Sequence, residues 1–326
     1  MLMKIYRNIE DFIPLDNAVV TIGTFDGVHI GHQKILSSLK EYAQRINGET
    51  VLLTFFPHPR MILHPDDDSL RLINTIEEKA DRLADCGVDH LIVTPFTRDF
   101  SNQSAEEYIR EILVSKIGTK RIVIGYDHHF GKDRKGTLAD LLKYAEQYNY
   151  SVQEIPEQDV NDVAVSSTKI REALILGEIA TANKYLGYPF PITGKVVKGQ
   201  QLGRTIGYPT ANIEVPESYK LIPAYGIYAV EAQVIQQNEL YTGDYIPPFK
   251  GPLIKGMGYI GTRPTIRGVN RSIEINFFDL QEDLYGKTLR ISFLHFVRHD
   301  QKFGSIEELT AQLAVDEQQI RKLLSA

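Results

Sequence analysis

Two different hydrophobic periodicities run through this chain, and no single layered fold accommodates both. Through about residue 186, short β-rich runs alternate with helical stripes. AVVTIG (18 to 23), TVLLTF (50 to 55), HLIVTPF (90 to 96), KRIVIG (120 to 125) and SVQEIP (151 to 156) are apolar enough to be buried on both faces, as parallel strands are. Between them, Ile35, Leu36, Leu39, Tyr42, Ala43 and Ile46 share one helical stripe. Tyr108, Ile109, Ile112 and Leu113 share another, preceded by the capping-box pattern Ser104 to Glu107. Strand, helix, strand repeated this way predicts an open, doubly wound parallel sheet.

The pattern changes after YLGYPFPITG, where prolines and glycines follow a helical pair. ITGKVVKG, IYAVEAQVI, LIKGMGYIG, RSIEINFFDL and TLRISFLHFV alternate polar and apolar residues between Gly and Pro turns, with no helix-length pattern among them. They predict an antiparallel barrel or sandwich. A last amphipathic segment carries Ile306, Leu309, Leu313, Ile320, Leu323 and Leu324 on one stripe, fit to close the β-structure against its flank. At 326 residues the chain exceeds one ordinary core, so we expect two domains, 1–187 and 188–326.

Composition removes several function classes. A hydrophobic fraction of 43% and a charged fraction of 24% are those of an ordinary globular protein. The formal net charge of -6 offers nothing to draw in nucleic acid or anionic lipid, so neither is expected as a partner and any phosphate site must be local. The single cysteine, Cys86, cannot form an internal disulfide, which fits a reducing cytoplasm. The start MLMKIYRNIEDF has no apolar signal core, and no apolar run approaches the roughly 18 residues that span a bilayer, so a soluble protein is expected.

Chemistry concentrates first in TIGTFDGVHIGHQKIL, residues 21 to 36, where the first strand gives way to the first helix. In an open parallel sheet that turn lies at the ligand edge and meets a helix N-terminus whose free N–H groups favour anions. Gly23, Gly27 and Gly31 read as places where the backbone bends tightly or lies close to a phosphate. His29 and His32, three apart, can turn both imidazoles to one anion rather than into a core. A bare H-x-G-H also fits a glycine-rich turn with two surface histidines; its place on the first strand-to-helix turn favours the anion.

The string G-x-F-D-G-x-H-x-G-H resembles the nucleotidyltransferase superfamily with the HIGH signature, spelled out at 29 to 32. That resemblance implies a Rossmann-like domain in which Gly23, Phe25, Asp26, Gly27, His29, Gly31 and His32 bind ATP, the histidines stabilising phosphate charge during attack at the α-phosphorus. FFPHPRMIL (55 to 63), GYDHHFG (125 to 131) and SSTKIREALILGEI (166 to 179) resemble the flavin-adenylating module of bacterial bifunctional riboflavin kinase/FAD synthetases. Pro57 and Pro59 would stiffen a loop that holds His58, and Asp127 follows a strand at the carboxyl edge, where it could accept from a flavin or ribityl donor. The resemblance makes Pro57, His58 and Asp127 flavin-binding. Ser166, Ser167 and Thr168 read as a helix cap, and Arg171 as a planar fork for leaving pyrophosphate; taken alone, SSTKIR is equally an ordinary N-cap with a solvent arginine. The family usually carries an aromatic where His128 stands, and no KMSKS-like loop accompanies the histidines, which argues against an aminoacyl-tRNA synthetase.

In the second half, GKVVKGQQLGRTIGYPTANI (194 to 213) sets Gly194, Gly199, Gly203 and Gly207 among Lys195 and Arg204, a loop able to wrap ATP phosphates or simply a series of turns. Arg204 fits a phosphate contact or a surface charge. Thr210 and Asn212 are two apart, so on an extended segment their neutral oxygens face one way, suited to magnesium that carries ATP phosphates. With AYGIYAV, GYIGTRPT and RSIEINFFDL, this stretch resembles the riboflavin kinase module, a small Greek-key β-barrel. The resemblance makes Glu274 the base on the ribityl 5'-hydroxyl, although alternation with Ile273 and Ile275 alone fits a solvent-facing strand residue. NELYTGDYIPPFKGPLIK (238 to 255) is longer than the minimal hairpin expected there.

Together the resemblances imply a bifunctional flavin enzyme: riboflavin plus ATP gives FMN, then FMN plus ATP gives FAD and pyrophosphate. Its small-molecule partners would be riboflavin, FMN, FAD and ATP; its cofactor Mg2+, with flavins as substrate and product rather than prosthetic group; its state a monomer or weak homo-oligomer. Two alternatives stand beside this: a flavin-sensing binding protein without turnover, and a transferase acting on another phosphorylated acceptor.

Overall fold

The computed structural model describes residues 2–126, 128–155, 159–160, 163–199, 202–236, 242–265 and 268–325. The chain forms two compact units: Met1–Ser166 with Glu239–Pro247, and Ser167–Asn238 with Pro248–Ala326.

The first unit is a doubly wound sheet. Its strands are β1 (Lys4–Tyr6), β2 (Ala18–Ile22), β3 (Glu49–Phe55), β4 (His90–Thr94), β5 (Thr119–Gly125) and β6 (Ser151–Ile155), followed by a two-stranded ribbon, β7 (Asp159–Val160) and β8 (Val163–Ala164). Among the described residues the sheet order is β1-β4-β3-β2-β5-β6, with parallel pairings throughout. Neighbouring residues of one strand enter opposite cores: Val20 and Ile22 pack on one face with Ile109, Leu113 and Leu141, while Val19 packs on the other with Leu36, Leu39, Ile76 and Leu83. Burial on both sides explains why these strands read as unbroken apolar runs.

Helices α1 (Ile30–Arg45), α2 (Pro59–Leu63), α3 (Ile76–Asp85), α4 (Arg98–Ser101), α5 (Ala105–Glu107) and α6 (Leu138–Ala145) connect the strands. The capping box at Ser104 and Glu107 forms as expected, but the apolar stripe behind it winds as a π-helix over Tyr108–Ile117. The sheet order reverses between β2 and β5, so the loops leaving those two strands border the topological switch point where such folds bind ligands.

One more strand completes this sheet. β12 (Gly243–Asp244) pairs antiparallel with β1, Lys4 opposite Asp244 and Ile5 opposite Gly243. It comes from the segment that looked too long for a hairpin.

The second unit begins with α7 (Ser167–Leu176) and α8 (Ile179–Leu186), then β9 (Phe190–Val197), the helical turn α9 (Leu202–Thr205), β10 (Ala211–Glu214) and β11 (Gly226–Gln236). β13 (Phe249–Lys250), β14 (Ile254–Thr265), β15 (Gly268–Phe277), β16 (Thr288–Arg298) and α10 (Ile306–Leu323) complete it. The order β11-β14-β15-β10-β9-β16 closes through a β11–β16 pairing into an antiparallel barrel. The barrel, not the sandwich, is therefore realised; closure leaves these six strands no open edge.

α7 and α8 pack with this barrel: the Ala224 amide donates to the Leu174 carbonyl at 3.0 Å, and Asn183 Nδ2 donates to the Phe293 carbonyl at 2.9 Å. The compact units thus divide at Ser166/Ser167, ahead of the expected 187/188 boundary.

α10 lies on the barrel flank, with Ile320 and Leu324 packed on Ile227, Met257 and Phe278. Ile306, expected on the apolar stripe, is exposed, because contact with the barrel begins a turn later. The same face buries Asp316, 1% exposed, against Arg298, whose Nε reaches both carboxylate oxygens at 3.0 Å and whose Nη2 reaches Oδ2 at 2.7 Å. Removing one partner of a buried pair strands the other charge. Asp316→Ala is expected to cost about 3 kcal/mol of second-unit stability, read as a lower urea midpoint at unchanged slope.

Candidate functional site

The turn from β2 to α1 is strained and buried. Phe25 and Val28 hold positive φ of 45° and 35°, a costly region for side chains of their kind, yet they are 3% and 0% exposed. Gly27, at φ 86°, takes the same region without that cost. Gly23 and Gly31 lie at the end of β2 and in the first turn of α1.

His29 is the N-cap of α1, its Nδ1 accepting from the His32 amide at 3.4 Å, which leaves the ring proton on Nε2. The two imidazoles stack with centroids 3.6 Å apart and planes 18° from parallel, and the His32 ring also lies 4.7 Å from that of Phe25. His29 is only 6% exposed, so it is set into the turn and is not a surface histidine. Burial, His29 and Lys79 together hold His32 well below the usual histidine range, so it stays neutral. Its Nδ1 is buried without a hydrogen-bond partner among the described residues, as an atom awaiting a ligand would be.

What supports the turn is a set of buried charges. The Asp26 carboxylate accepts from the Ile73 amide at 3.0 and 3.1 Å and the Asn74 amide at 3.3 Å, just ahead of α3. Lys79 of α3, 4% exposed, donates from Nζ to the Thr24 carbonyl at 2.7 Å. Sequence reasoning missed Lys79, though a signal exists. It lies three residues after Ile76 and four before Leu83, squarely on the apolar stripe of α3.

On the same sheet edge, His58 caps α2, its Nδ1 accepting from the Arg60 amide at 3.2 Å, with Pro59 opening the helix and Pro57 exposed. Asp127 lies outside the described residues. Between the ends of β5 and β6 and helix α6 is a cleft of about 400 Å³ lined by Tyr126, His128, His129, Thr137 and Glu154. The His128 ring lies roughly parallel to that of Phe130, with centroids 5.8 Å apart and planes at 24°. Burial, with His129 and Arg134, pushes it down to about 4, so it too is neutral near pH 7.

In the second unit, β10 and β15 place Asn212 directly opposite Glu274, so both side chains leave the same face of the ladder. Thr210 Oγ1 donates to Glu274 Oε2 at 3.2 Å, bringing the three residues together as expected. Asn276, two residues on from Glu274 and missed in the sequence, donates from Nδ2 to the Pro209 carbonyl at 2.8 Å and anchors the segment ahead of Thr210.

The glycines have structural reasons. A Cβ on Gly199 would stand 2.1 Å from Asn212 Nδ2, and one on Gly203 2.1 Å from the Tyr208 carbonyl, so both positions are close backbone approaches. Gly194 likewise presses on the Glu214 backbone, while Gly207 sits at φ 84°. Lys195 on β9 and Arg204 on α9 are exposed. Ser167, Thr168 and Arg171 lie on the first turns of α7, with Thr168 exposed and Arg171 half-buried. The described residues hold no group of three His, Cys, Asp or Glu able to bind a metal ion.

Comparison with known proteins accounts for both sites. Residues 13–169 match the FAD synthetase family model and residues 186–324 the riboflavin kinase model. The Escherichia coli (strain K12) bifunctional riboflavin kinase/FMN adenylyltransferase is 36% identical over 97% of this chain and 96% of its own. The chain belongs to the bifunctional riboflavin kinase/FMN adenylyltransferase family. Another member, from Listeria monocytogenes, is 37% identical over 94% of this chain and 92% of its own. A Streptococcus pneumoniae crystal structure, described as a macrolide-efflux protein, superposes with a TM-score of 0.85 at 31% identity, over 98% of this chain and 99% of that one. As a riboflavin kinase/FMN adenylyltransferase, this enzyme uses ATP twice, to make FMN and then FAD. No helix among the described residues is long and apolar enough to cross a membrane.

Lys79 gives the adenylyltransferase half a pH signature. Burial pushes its pKa down from 10.5 to about 8, against the pull of Asp26. The unfolded chain holds that proton up to 10.5, so the charging penalty is fully present below pH 8 and gone above 10.5. First-unit stability therefore carries a Lys79 increment that rises across this window, on the order of 2–3 kcal/mol. Lys79→Met is expected to lack it, measured as the difference between wild-type and variant urea unfolding at pH 8 and pH 10.

Proposed function

We propose that residues 1–187 carry FMN adenylylation and residues 188–326 riboflavin phosphorylation, at two separate sites. The observation that carries the reading is the cluster of Thr210, Asn212 and Glu274: Asn212 and Glu274 face each other across β10 and β15, and Thr210, just ahead of β10, donates to Glu274.

In the kinase half, Glu274 takes the proton of the ribityl 5'-hydroxyl while that oxygen attacks the γ-phosphorus of ATP and ADP leaves. The Thr210 hydroxyl spends its proton on Glu274, which leaves its lone pairs and the Asn212 amide oxygen as hard donors. That donor set fits Mg2+, which prefers oxygen ligands, retains waters and binds largely through substrate phosphates; when bound it neutralises phosphate charge. Gly199 lets Asn212 lie against the backbone, while Gly194 and Lys195 on β9 and Gly203, Arg204 and Gly207 beyond it bind the ATP phosphates.

In the adenylyltransferase half, an FMN phosphate oxygen attacks the α-phosphorus of ATP and pyrophosphate leaves. His29 and His32 donate hydrogen bonds to the phosphates as charge builds, and the buried His32 Nδ1 supports that assignment. Phe25, Asp26 and Gly27 shape the turn that presents them; Ser167, Thr168 and Arg171 take the leaving pyrophosphate. Pro57, His58 and Asp127 contact the flavin. The enzyme works in the cytoplasm as a monomer or weak homo-oligomer, with neither nucleic acid nor membrane as partner.

Two substitutions test the separation. Glu274→Gln is expected to lower FMN formation from riboflavin by about 10²–10⁴-fold while FMN-to-FAD conversion stays intact. His32→Ala is expected to do the reverse, by about 10²–10³-fold. Chromatographic assay of each step reads both; parallel losses in folded variants would contradict the two-site account.

A further inference from the structure

The stretch 238–255 is not used by either reaction, yet part of it is built into the adenylyltransferase sheet. Chain leaves β11 at Gln236, supplies β12 to the edge of β1, and re-enters the barrel at β13. Its fastening is specific. The Tyr245 amide donates to the Met3 carbonyl at 2.7 Å, and Thr242 Oγ1 accepts from the Arg7 amide at 3.2 Å and meets Asp11 Oδ2 at 3.2 Å.

Tyr245, 9% exposed, enters the same apolar cluster as Phe25, Val28, Ile76, Ala80 and Leu83, and its hydroxyl donates to Asp81 Oδ1. Asp81 and Lys79 are two residues apart on α3, roughly 200° around the helix, so they project from opposite sides. One side meets Tyr245 and the other holds the Thr24 carbonyl. The residues leading into α3 hold Asp26 through the Ile73 and Asn74 amides. The rotation of α3 is thus fixed by two polar contacts of opposite direction, one of them made by a tyrosine carried on an excursion of the kinase half's chain.

We propose that Tyr245 is a positioning residue for adenylyl transfer: it fixes α3, and through Lys79 and the Asp26 contacts it holds the strained Thr24–Gly27 turn that aims His29 and His32 at ATP. This rests on the assignment of that turn to the adenylylation site. Without the tyrosine, α3 is free to turn or slide in the cluster, and the residues that oppose the backbone strain at Phe25 and Val28 lose their fixed support.

The test uses the full-length chain with Tyr245→Ala and Tyr245→Phe. Tyr245→Ala is expected to raise KM for ATP in FMN adenylylation by about 3–30-fold, with KM for ATP in riboflavin phosphorylation unchanged. Tyr245→Phe keeps the ring in the cluster and removes only the bond to Asp81; an intermediate rise is expected, and this variant serves if the alanine form does not fold. Loss of folded enzyme alone lowers rate without moving KM, so the KM shift separates positioning from bulk stability. Folded variants that both keep the parental KM for ATP would overturn the proposal. His32→Ala, assayed alongside, separates the two failures: retained FAD synthesis there would sink the site assignment, whereas its loss with unchanged KM in the Tyr245 variants would sink only the role of Tyr245.

Discussion

A strained turn must be held down from beneath, and in the first unit that support is electrostatic. Phe25 and Val28 occupy backbone conformations they would not choose alone, so that His29 can cap α1 with His32 stacked upon it. Two buried groups of opposite charge hold the turn: Asp26 engages the backbone ahead of α3, and Lys79 reaches back to Thr24. Burial of both charges is unfavourable by itself, and it becomes tolerable because each has a partner. The helix that carries the lysine is therefore part of the site's architecture, though it touches no reacting atom.

The barrel solves its problem with register instead of charge. Closing six strands fixes which residues oppose one another, and this ladder sets Asn212 against Glu274, with Thr210 a step ahead of the strand. A one-residue slip of β10 would turn Asn212 to the other face. Asn276 and Gly199 serve the same end, the first by tying down Pro209 and the second by leaving room for the asparagine amide. Gly199 thus shapes the donor cluster by leaving space that a Cβ would fill.

Much of this was legible in the residues because periodicity reports burial directly. Double-sided burial made the parallel strands continuous apolar runs, and the alternating barrel strands announced themselves by period two. The histidine turn and the Thr210–Asn212 pair stood out because their spacing is local, whereas Glu274 was marked only by the strand motif around it. Asp26 was found, but the sequence shows a carboxylate without showing that two backbone amides 47 and 48 residues along donate to it. Lys79 was overlooked because a lysine within a charged helical string looks solvated until the stripe it shares with Ile76 and Leu83 is weighed. That the helix pair α7 and α8 packs with the barrel was not legible in pattern alone, because amphipathic stripes do not name what they pack against.

The sequence by itself determined two modules, their order, and the chemistry each carries, because helical and strand periods and short motifs are properties of neighbouring residues. Only the tertiary structure decided which charges are buried beneath the histidines, that Asn212 faces Glu274 across a ladder, and that Tyr245 belongs to the first core. Those are contacts between residues from 47 to 164 positions apart, and such pairings are fixed by packing and backbone hydrogen-bond closure, which leave no local trace in the order of amino acids.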